Sequence, residues 1–318
     1  MSLWRPSASL ALLRARAELL ARIRIFFDER QVLEVETPIL STSAPSEPAI
    51  APLPCRYQSQ TSCWLNSSPE FAMKRLLAAG TGPIYQLGKV FRNGEFGRLH
   101  NPEFTMLEWY RPGFSLDDLM TEVAALVACV SRRDWPINQL SYRELFLEHL
   151  GLDPFQAEAA QLEALARSRG IDLIAETMDR DAWLDLLLSH LLQPLLGQGA
   201  LSFVHGYPPS QAALAQLRDT PYGPVAERFE LYMEGIEIAN GYAELTDANE
   251  QRQRFMHDLE RRRRQGLPEP RMDEHFLAAL EAGLPQCSGV ALGVDRLLMV
   301  LQGCTRLDEV LAFPFDRA

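Results

Sequence analysis

The sequence predicts an α+β domain, an antiparallel sheet flanked by helices. Three observations carry this. Two separate stretches, 84–112 and 229–238, alternate with period two and double back through turn formers, as hairpins do. A third, 287–294, alternates small with branched residues and runs straight into a helical segment. Around these lie long segments with the 3.6-residue period of helices that face a core.

A chain of 318 residues can bury one large core, or one core plus a small appendage. Its 47% hydrophobic and 23% charged residues are those of an ordinary globular protein, which excludes a disordered or fibrous chain. The net charge of −11 argues against an extensive nucleic-acid-binding face, because such binding draws heavily on phosphate neutralisation. Cys55, Cys63, Cys129, Cys287 and Cys304 are scattered and never spaced C-x-x-C. That speaks against a disulfide framework or structural zinc and fits a reducing cytoplasm. The N-terminal apolar run is broken by Arg14, Arg16, Glu18, Arg22 and Arg24, so no secretory leader is expected. The greasiest segment, 183–196, contains Asp185, His190 and Pro194 and is too short to span a bilayer.

Taken in order, residues 7–30 read as an amphipathic helix capped by Ser7 or Ser9. Leu12, Leu19, Leu20, Ile23, Phe26 and Phe27 share one stripe, with the arginines opposite. Residues 32–40 read as a strand with Pro38 near its end, and 41–54, rich in Ser and Pro, as a surface loop. The segment 64–74 turns from strand into helix at Ser68-Pro69-Glu70, where an acid complements the helix dipole. In the first hairpin, Ile84, Gln86, Gly88, Val90 and Arg92 share one face, and Phe104, Met106, Glu108 and Tyr110 share another. The connection holds Asn93-Gly94, Gly97 and Asn101-Pro102. It exceeds the usual hairpin loop of about two to five residues, which points to function rather than connection. At its mouth Arg92 offers a fixed fork of donors suited to a phosphate, or pairs with Glu95 or Glu108.

From 116 to 217 the sequence reads as a helical insertion rich in Leu and Ala. Its His149, His190 and His205 lack ligand-like companions and read as structural. The second hairpin turns at Glu234-Gly235. On a straight strand Glu237 and Glu244 would face opposite ways, but a break at Asn240-Gly241 lets both reach one site. Two convergent carboxylates hold Mg²⁺ on a nucleotide or capture an ammonium group, unless they merely line a solvated edge. Asp247 and Glu250 form a capping box for a helix ending near Gly266. Its Arg261 to Arg264 complement the dipole or dock a partner. In the last strand Gly289, Ala291 and Gly293 leave room for a ligand against the backbone, while Val290, Leu292 and Val294 pack inward. Asp295 then caps a helix whose first turn presents Arg296, a phosphate-binding arrangement.

The runs FRN and HNPEFTMLEWY resemble motif 2 of the class II aminoacyl-tRNA synthetases, most closely the lysyl branch. VLEVETPIL resembles motif 1, CSGVALGVDRLLMVL resembles motif 3, and GIEIANGYAELTD is similar to the lysyl enzymes. The resemblance covers the chain from about Leu10 to its end. It implies a single class II catalytic domain over 1–318 in which Arg92 and Arg296 are catalytic, holding the α- and γ-phosphates of ATP. It also implies that Phe104 stacks on adenine and that Asn93, Gly94, Glu95, His100, Asn101, Ile238 and Gly293 line the nucleotide. Glu237 would serve ATP-Mg²⁺, and Glu244 the metal or an amino group. Ser68, Pro69, Glu70, Tyr110 and Ala291 would line the amino-acid pocket, with Ser68 and Glu70 receiving the amino group. The helix and strand of motif 1 imply a homodimer.

Two departures stand out. The family motif has Glu where this chain has Gly94, so either Glu95 takes over through the Asn93-Gly94 turn or nucleotide binding weakens. Lysyl-tRNA synthetases have Gly where this chain has Ala291, and one added methyl shifts selection by about 1–3 kcal/mol. No anticodon-binding domain is expected ahead of motif 1. With the acidic balance, this points away from a stable tRNA complex. The resemblance narrows to lysyl-tRNA synthetase paralogues that act on elongation factor P. It implies activation of (R)-β-lysine or lysine with ATP and Mg²⁺, then transfer to the ε-amino group of a lysine on elongation factor P, in the cytoplasm and without a membrane. A tRNA-acylating enzyme lacking an anticodon domain, and a non-catalytic amino-acid or ATP sensor suggested by Gly94, are the alternatives.

Overall fold

A computed structural model describes residues 4–58, 61–171 and 178–318. The chain forms two compact units, Met1–Arg133 with Ala243–Ala318, and Asp134–Tyr242. The first holds α1 (Leu10–Asp28), β1 (Leu33–Glu34), β2 (Leu40–Ser41), β3 (Leu53–Tyr57), β4 (Thr61–Leu65), α2 (Glu70–Ala78), β5 (Ile84–Phe91), β6 (Glu103–Pro112) and α3 (Leu116–Ser131). After the second unit it resumes with α7 (Ala248–Arg264), α8 (Glu274–Gly283), β12 (Cys287–Gly293) and α9 (Val294–Leu301). The second unit holds β7 (Ile137–Ser141), α4 (Tyr142–Leu150), α5 (Ala159–Ser168), α6 (Arg180–Leu187), β8 (Leu201–Tyr207), β9 (Leu217–Thr220), β10 (Gly223–Met233) and β11 (Ile236–Ala243). This is the α+β class that the sequence predicts. Among the described residues no helix is long and apolar enough to cross a membrane.

In the first unit β5, β6 and β12 form antiparallel pairs, and β1 joins β5 in parallel. The registers set Gln86 opposite Glu108, Glu108 opposite Ala291, and Tyr110 opposite Gly289. Residues paired across a sheet point to the same face, so the three sets of alternating residues read from the sequence share one surface. A buried cluster closes the unit: Phe27 of α1 stacks on Tyr85 at 4.4 Å and meets Trp109 edge-on at 5.3 Å. The Trp109 indole donates to Glu122 of α3 at 3.0 Å, which satisfies its buried polar end.

Several sequence expectations change here. The strand expected at 32–40 is two short pieces, β1 and β2, that pair in different sheets, with Pro38 between them. The stretch 116–217 holds β7, β8 and β9 besides its helices. Strand β8, Leu201–Tyr207, is buried on both faces apart from His205, so it shows no alternation to betray it. In the second hairpin Glu234 and Gly235 take φ values of 48° and 71°, those of a tight two-residue turn. The strand is not broken at Asn240-Gly241; both pair with β10, opposite Glu230 and Phe229. The phase shift occurs instead at a bulge, where Leu231 pairs with Ala239 and Tyr232 with Glu237, passing over Ile238.

The arginine run at the end of α7 divides by depth. Arg262 is 1% exposed and donates to the carbonyls of Ser46 at 3.0 Å and Ile50 at 2.7 Å. The Ser46 hydroxyl in turn donates to Asp258. The loop so held accepts the Asn93 amide on the Ala51 carbonyl at 2.8 Å, bracing the exit of β5. Arg263 and Arg264 pair with Glu269 and Glu260 at the surface. Arg262→Ala is therefore expected to cost about 2–4 kcal/mol in urea unfolding, since it orphans two buried carbonyls and empties a cavity. Arg263→Ala should cost less than about 0.5 kcal/mol.

Candidate active site

The shared face of β5, β6 and β12 ends in a buried charged cluster. Ser68 sits just before α2; its hydroxyl accepts from the Glu70 amide at 3.0 Å and donates to Glu108 Oε2 at 2.8 Å. Tyr110 donates to the other oxygen, Glu108 Oε1, at 2.6 Å. One turn along α2 from Glu70, Lys74 Nζ lies 2.6 Å from Glu70 Oε1 and 2.6 Å from Glu244 Oε2. Lys74, Glu108 and Glu244 are each nearly inaccessible, whereas Glu70 keeps 18% of its side chain open. Gly289 is required here. A Cβ at that position would lie 2.3 Å from Tyr110 Cε1 and 2.5 Å from Glu244 Oε1.

Three carboxylates thus share one ammonium. Burial pushes Glu108 up to about 7, with Glu70 adding to it and the Tyr110 and Ser68 hydroxyls pulling back. Burial likewise pushes Glu244 up to about 8, against the pull of Lys74. For Lys74 burial opposes the charge, but Glu244 and Glu70 together outweigh it and raise the ammonium above its ordinary range. These groups lie in contact, so the proton held near neutrality belongs to the cluster rather than to one side chain. A cationic guest would displace that proton and complete the charge balance.

A second set of groups lines the long loop between β5 and β6. Arg92 lies 5.2 Å over the Phe104 ring and 3.7 Å from Glu95, and its buried Nε has no protein hydrogen-bond partner among the described residues. Gly94 has φ of 77°, which a Glu would adopt only with strain. Arg296, in the first turn of α9, donates to the Leu99 carbonyl at 3.3 Å and to His100 Nε2 at 2.7 Å. A guanidinium only donates, so Nε2 is the accepting nitrogen and the His100 proton is on Nδ1. Burial, then Arg296, lowers the His100 pKa and keeps the ring neutral. Exposed guanidinium edges beside an aromatic ring suit a nucleotide phosphate and base.

Asp295 does not cap α9; Gly293 occupies that position. Instead its buried carboxylate accepts the Thr105 amide at 2.8 Å and pairs with Arg16 of α1, whose guanidinium also donates to the Thr105 hydroxyl at 2.7 Å. Arg16 therefore lies on the inner side of its helix and not opposite the apolar stripe. Asn101 is 7% exposed and spends its amide on structure, donating to the Glu103 carbonyl at 2.6 Å and accepting from the Phe315 amide at 3.0 Å. Glu237 and Ile238 belong to β11 of the second unit. Among the described residues no group of three or more His, Cys, Asp or Glu side chains is arranged to hold a metal ion.

Of the sequence-predicted residues, Ser68, Glu70, Tyr110 and Glu244 come together around Gly289, with Ala291 paired opposite Glu108. Arg92, Glu95, His100, Phe104 and Arg296 gather at the loop. Sequence reasoning did not single out Lys74, Glu108 or Arg16 as parts of the site. For Lys74 a signal existed, since Glu70 and Lys74 are spaced i,i+4 on one helix face.

A catalytic sheet with arginines on its β5–β6 loop and after its last strand defines a class II synthetase-type domain. Residues 1–317 match the family described as tRNA synthetases class II (D, K and N), and the chain belongs to it. It is also 48% identical to three proteins named elongation factor P–(R)-beta-lysine ligase, from Yersinia pestis (strain Pestoides F), Yersinia pseudotuberculosis (serotype O:3, strain YPIII) and Proteus mirabilis (strain HI4320). Each match covers 99% of this chain and 98% of the relative.

Gly289→Ala is expected to drive Tyr110 and Glu244 apart and cost about 1–3 kcal/mol of fit. Amino-acid KM should rise at least about tenfold in pyrophosphate exchange, with an unchanged circular dichroism spectrum.

Proposed function

We propose that the protein activates (R)-β-lysine, or lysine, with ATP as an aminoacyl-adenylate and transfers it to the ε-amino group of a specific lysine on elongation factor P, in the cytoplasm. The observation that carries this reading is the buried surplus of carboxylates: Glu70, Glu108 and Glu244 against Lys74 suit a substrate that brings ammonium groups. The names of the relatives support the acceptor.

In the first step a carboxylate oxygen of the amino acid attacks the α-phosphorus and pyrophosphate leaves. Arg92 and Arg296 stabilise the charge on the phosphates, His100 orients Arg296, and Phe104 supports the base, with Asn93, Gly94, Glu95, Ile238 and Gly293 bordering the nucleotide. Positioning supplies much of the rest of the acceleration. In the second step the acceptor ε-amine attacks the acyl carbon; the acyl–oxygen bond breaks, AMP leaves, an amide forms and a proton is released. Mg²⁺ bound with ATP supplies further charge neutralisation. We assign Glu237 to it and give Glu244, already tied to Lys74, to the amino acid together with Ser68, Pro69, Glu70, Tyr110 and Ala291. Exposed Ile25, Leu33, Ile39 and Leu40 in the motif 1 stretch are the surface a homodimer would cover, and a sedimentation mass of one chain at micromolar concentration would remove that assignment.

ATP–pyrophosphate exchange without tRNA tests the reading. Exchange stimulated by (R)-β-lysine or lysine, and label transferred to elongation factor P in acid-stable form, are expected. Label on tRNA, or binding without exchange, would overturn it. Arg92→Ala and Arg296→Ala should each lose about 2.7–4 kcal/mol of barrier lowering, roughly 100- to 1,000-fold in rate. Amino-acid KM should fall severalfold from pH 6 to 8, because Glu108 and Glu244 ionise near 7 and 8 while the substrate's side-chain amine stays cationic.

A further inference from the structure

The amino-acid pocket contains a charged group that the proposed reaction leaves without a task. Lys74 is 1% exposed, too deep to meet an acceptor protein, and its ammonium is already committed. Nζ lies 2.6 Å from Glu70 Oε1 and 2.6 Å from Glu244 Oε2. Those carboxylates arrive from distant parts of the chain, Glu70 at the start of α2 and Glu244 just after β11. A single nitrogen bonded to both limits how far apart their oxygens can stand. The ammonium is itself confined, with the Tyr110 ring centroid at 6.0 Å and that of Phe276 at 5.7 Å. Gly289 completes the fixture, since anything larger would press on Tyr110 and Glu244 together.

We infer that Lys74 is a positioning residue that determines which diamino acid is accepted: by tying Glu70 to Glu244 it sets the spacing of the carboxylates that receive the substrate's two amino groups. The inference rests on the amino-acid-activating reading above. One methylene more or less in a fitted pocket changes selection by roughly 10- to 200-fold, but only while both ends of the pocket are held. With Lys74 removed, Glu70 and Glu244 repel and drift, and a shorter diamine reaches both.

The test is pyrophosphate exchange with (R)-β-lysine, lysine and ornithine, the last one methylene shorter than lysine. In Lys74→Met the KM for the preferred diamino acid should rise about tenfold or more while the KM for ATP stays within about twofold. Its kcat/KM preference over ornithine should fall at least about fivefold. Lys74→Arg keeps the ion pairs, and so the fold, but spaces the two carboxylates with a wider fork; its preference should shift as well. In Lys74→Ala, propylammonium supplied in the buffer should restore the preference and tetramethylammonium should not, a rescue that general loss of structure would not show. A folded Lys74→Met or Lys74→Arg with unaltered preference, or Lys74→Ala indifferent to propylammonium, would overturn the inference. Absence of exchange in the wild type with every amino acid would instead overturn the proposed function.

Discussion

Everything at the amino-acid end of this protein follows from burying three carboxylates beside one ammonium. Taking charges out of water is expensive, and the Coulomb attraction of one Lys74 cannot neutralise Glu70, Glu108 and Glu244 together. The fold answers with local devices: the Ser68 and Tyr110 hydroxyls on Glu108, the opening at Glu70, and the bare backbone of Gly289. What remains is a raised pKa on Glu108 and Glu244. A carboxyl whose folded pKa lies above its unfolded value contributes stability fully present below the unfolded value and lost as pH rises through the folded one. Between about pH 4.5 and 8 the empty pocket therefore weakens the fold as it ionises, and a cationic ligand offsets the loss. The site is built for binding at the expense of its own stability.

The nucleotide end obeys a different economy. Its arginines are held by contacts that can be exchanged. Arg92 and Glu95, 3.7 Å apart and each more than a quarter exposed, form a pair worth roughly 0–1 kcal/mol. A charge-assisted bond to phosphate contributes roughly 1.5–3 kcal/mol and wins that competition. The framework behind them is rigid. Asp295 locks the start of α9 to β6 and, through Arg16, to α1, while Arg262 fixes the loop that meets Asn93.

Much of this was legible in the sequence, for reasons that differ by element. The β5–β6 hairpin and β12 were readable because one face of each carries small or polar residues and the other packs inward, so period two survives. The helix stripe of Leu19, Ile23, Phe26 and Phe27 was readable for the same reason at period 3.6. Strand β8 was not, since burial on both faces erases the alternation. The bulge at Ile238 was assigned to Asn240-Gly241, because a sequence shows which residues permit a break but not where the partner strand imposes one. Arg16 and Arg262 look like surface arginines in any helical projection. Only the carboxylate or carbonyls waiting at depth make them interior, and those lie 279 and 216 residues away.

The contrast between the two ends bears on how Gly94 is tolerated. At φ of 77° that position favours glycine, and the residue after it, Glu95, carries the carboxylate that faces Arg92. The charge pattern of motif 2 is thereby retained one residue along, at the cost of a longer and weaker contact. A loop whose arginine must leave its resting partner to meet phosphate loses little when that partner is weak. The amino-acid pocket allows no such slack, because its carboxylates lie at hydrogen-bond distance from a cation sealed under two aromatic rings. Selectivity therefore belongs to the rigid end and adaptability to the loop, and a change of the size of Gly for Glu is tolerable only where it is found.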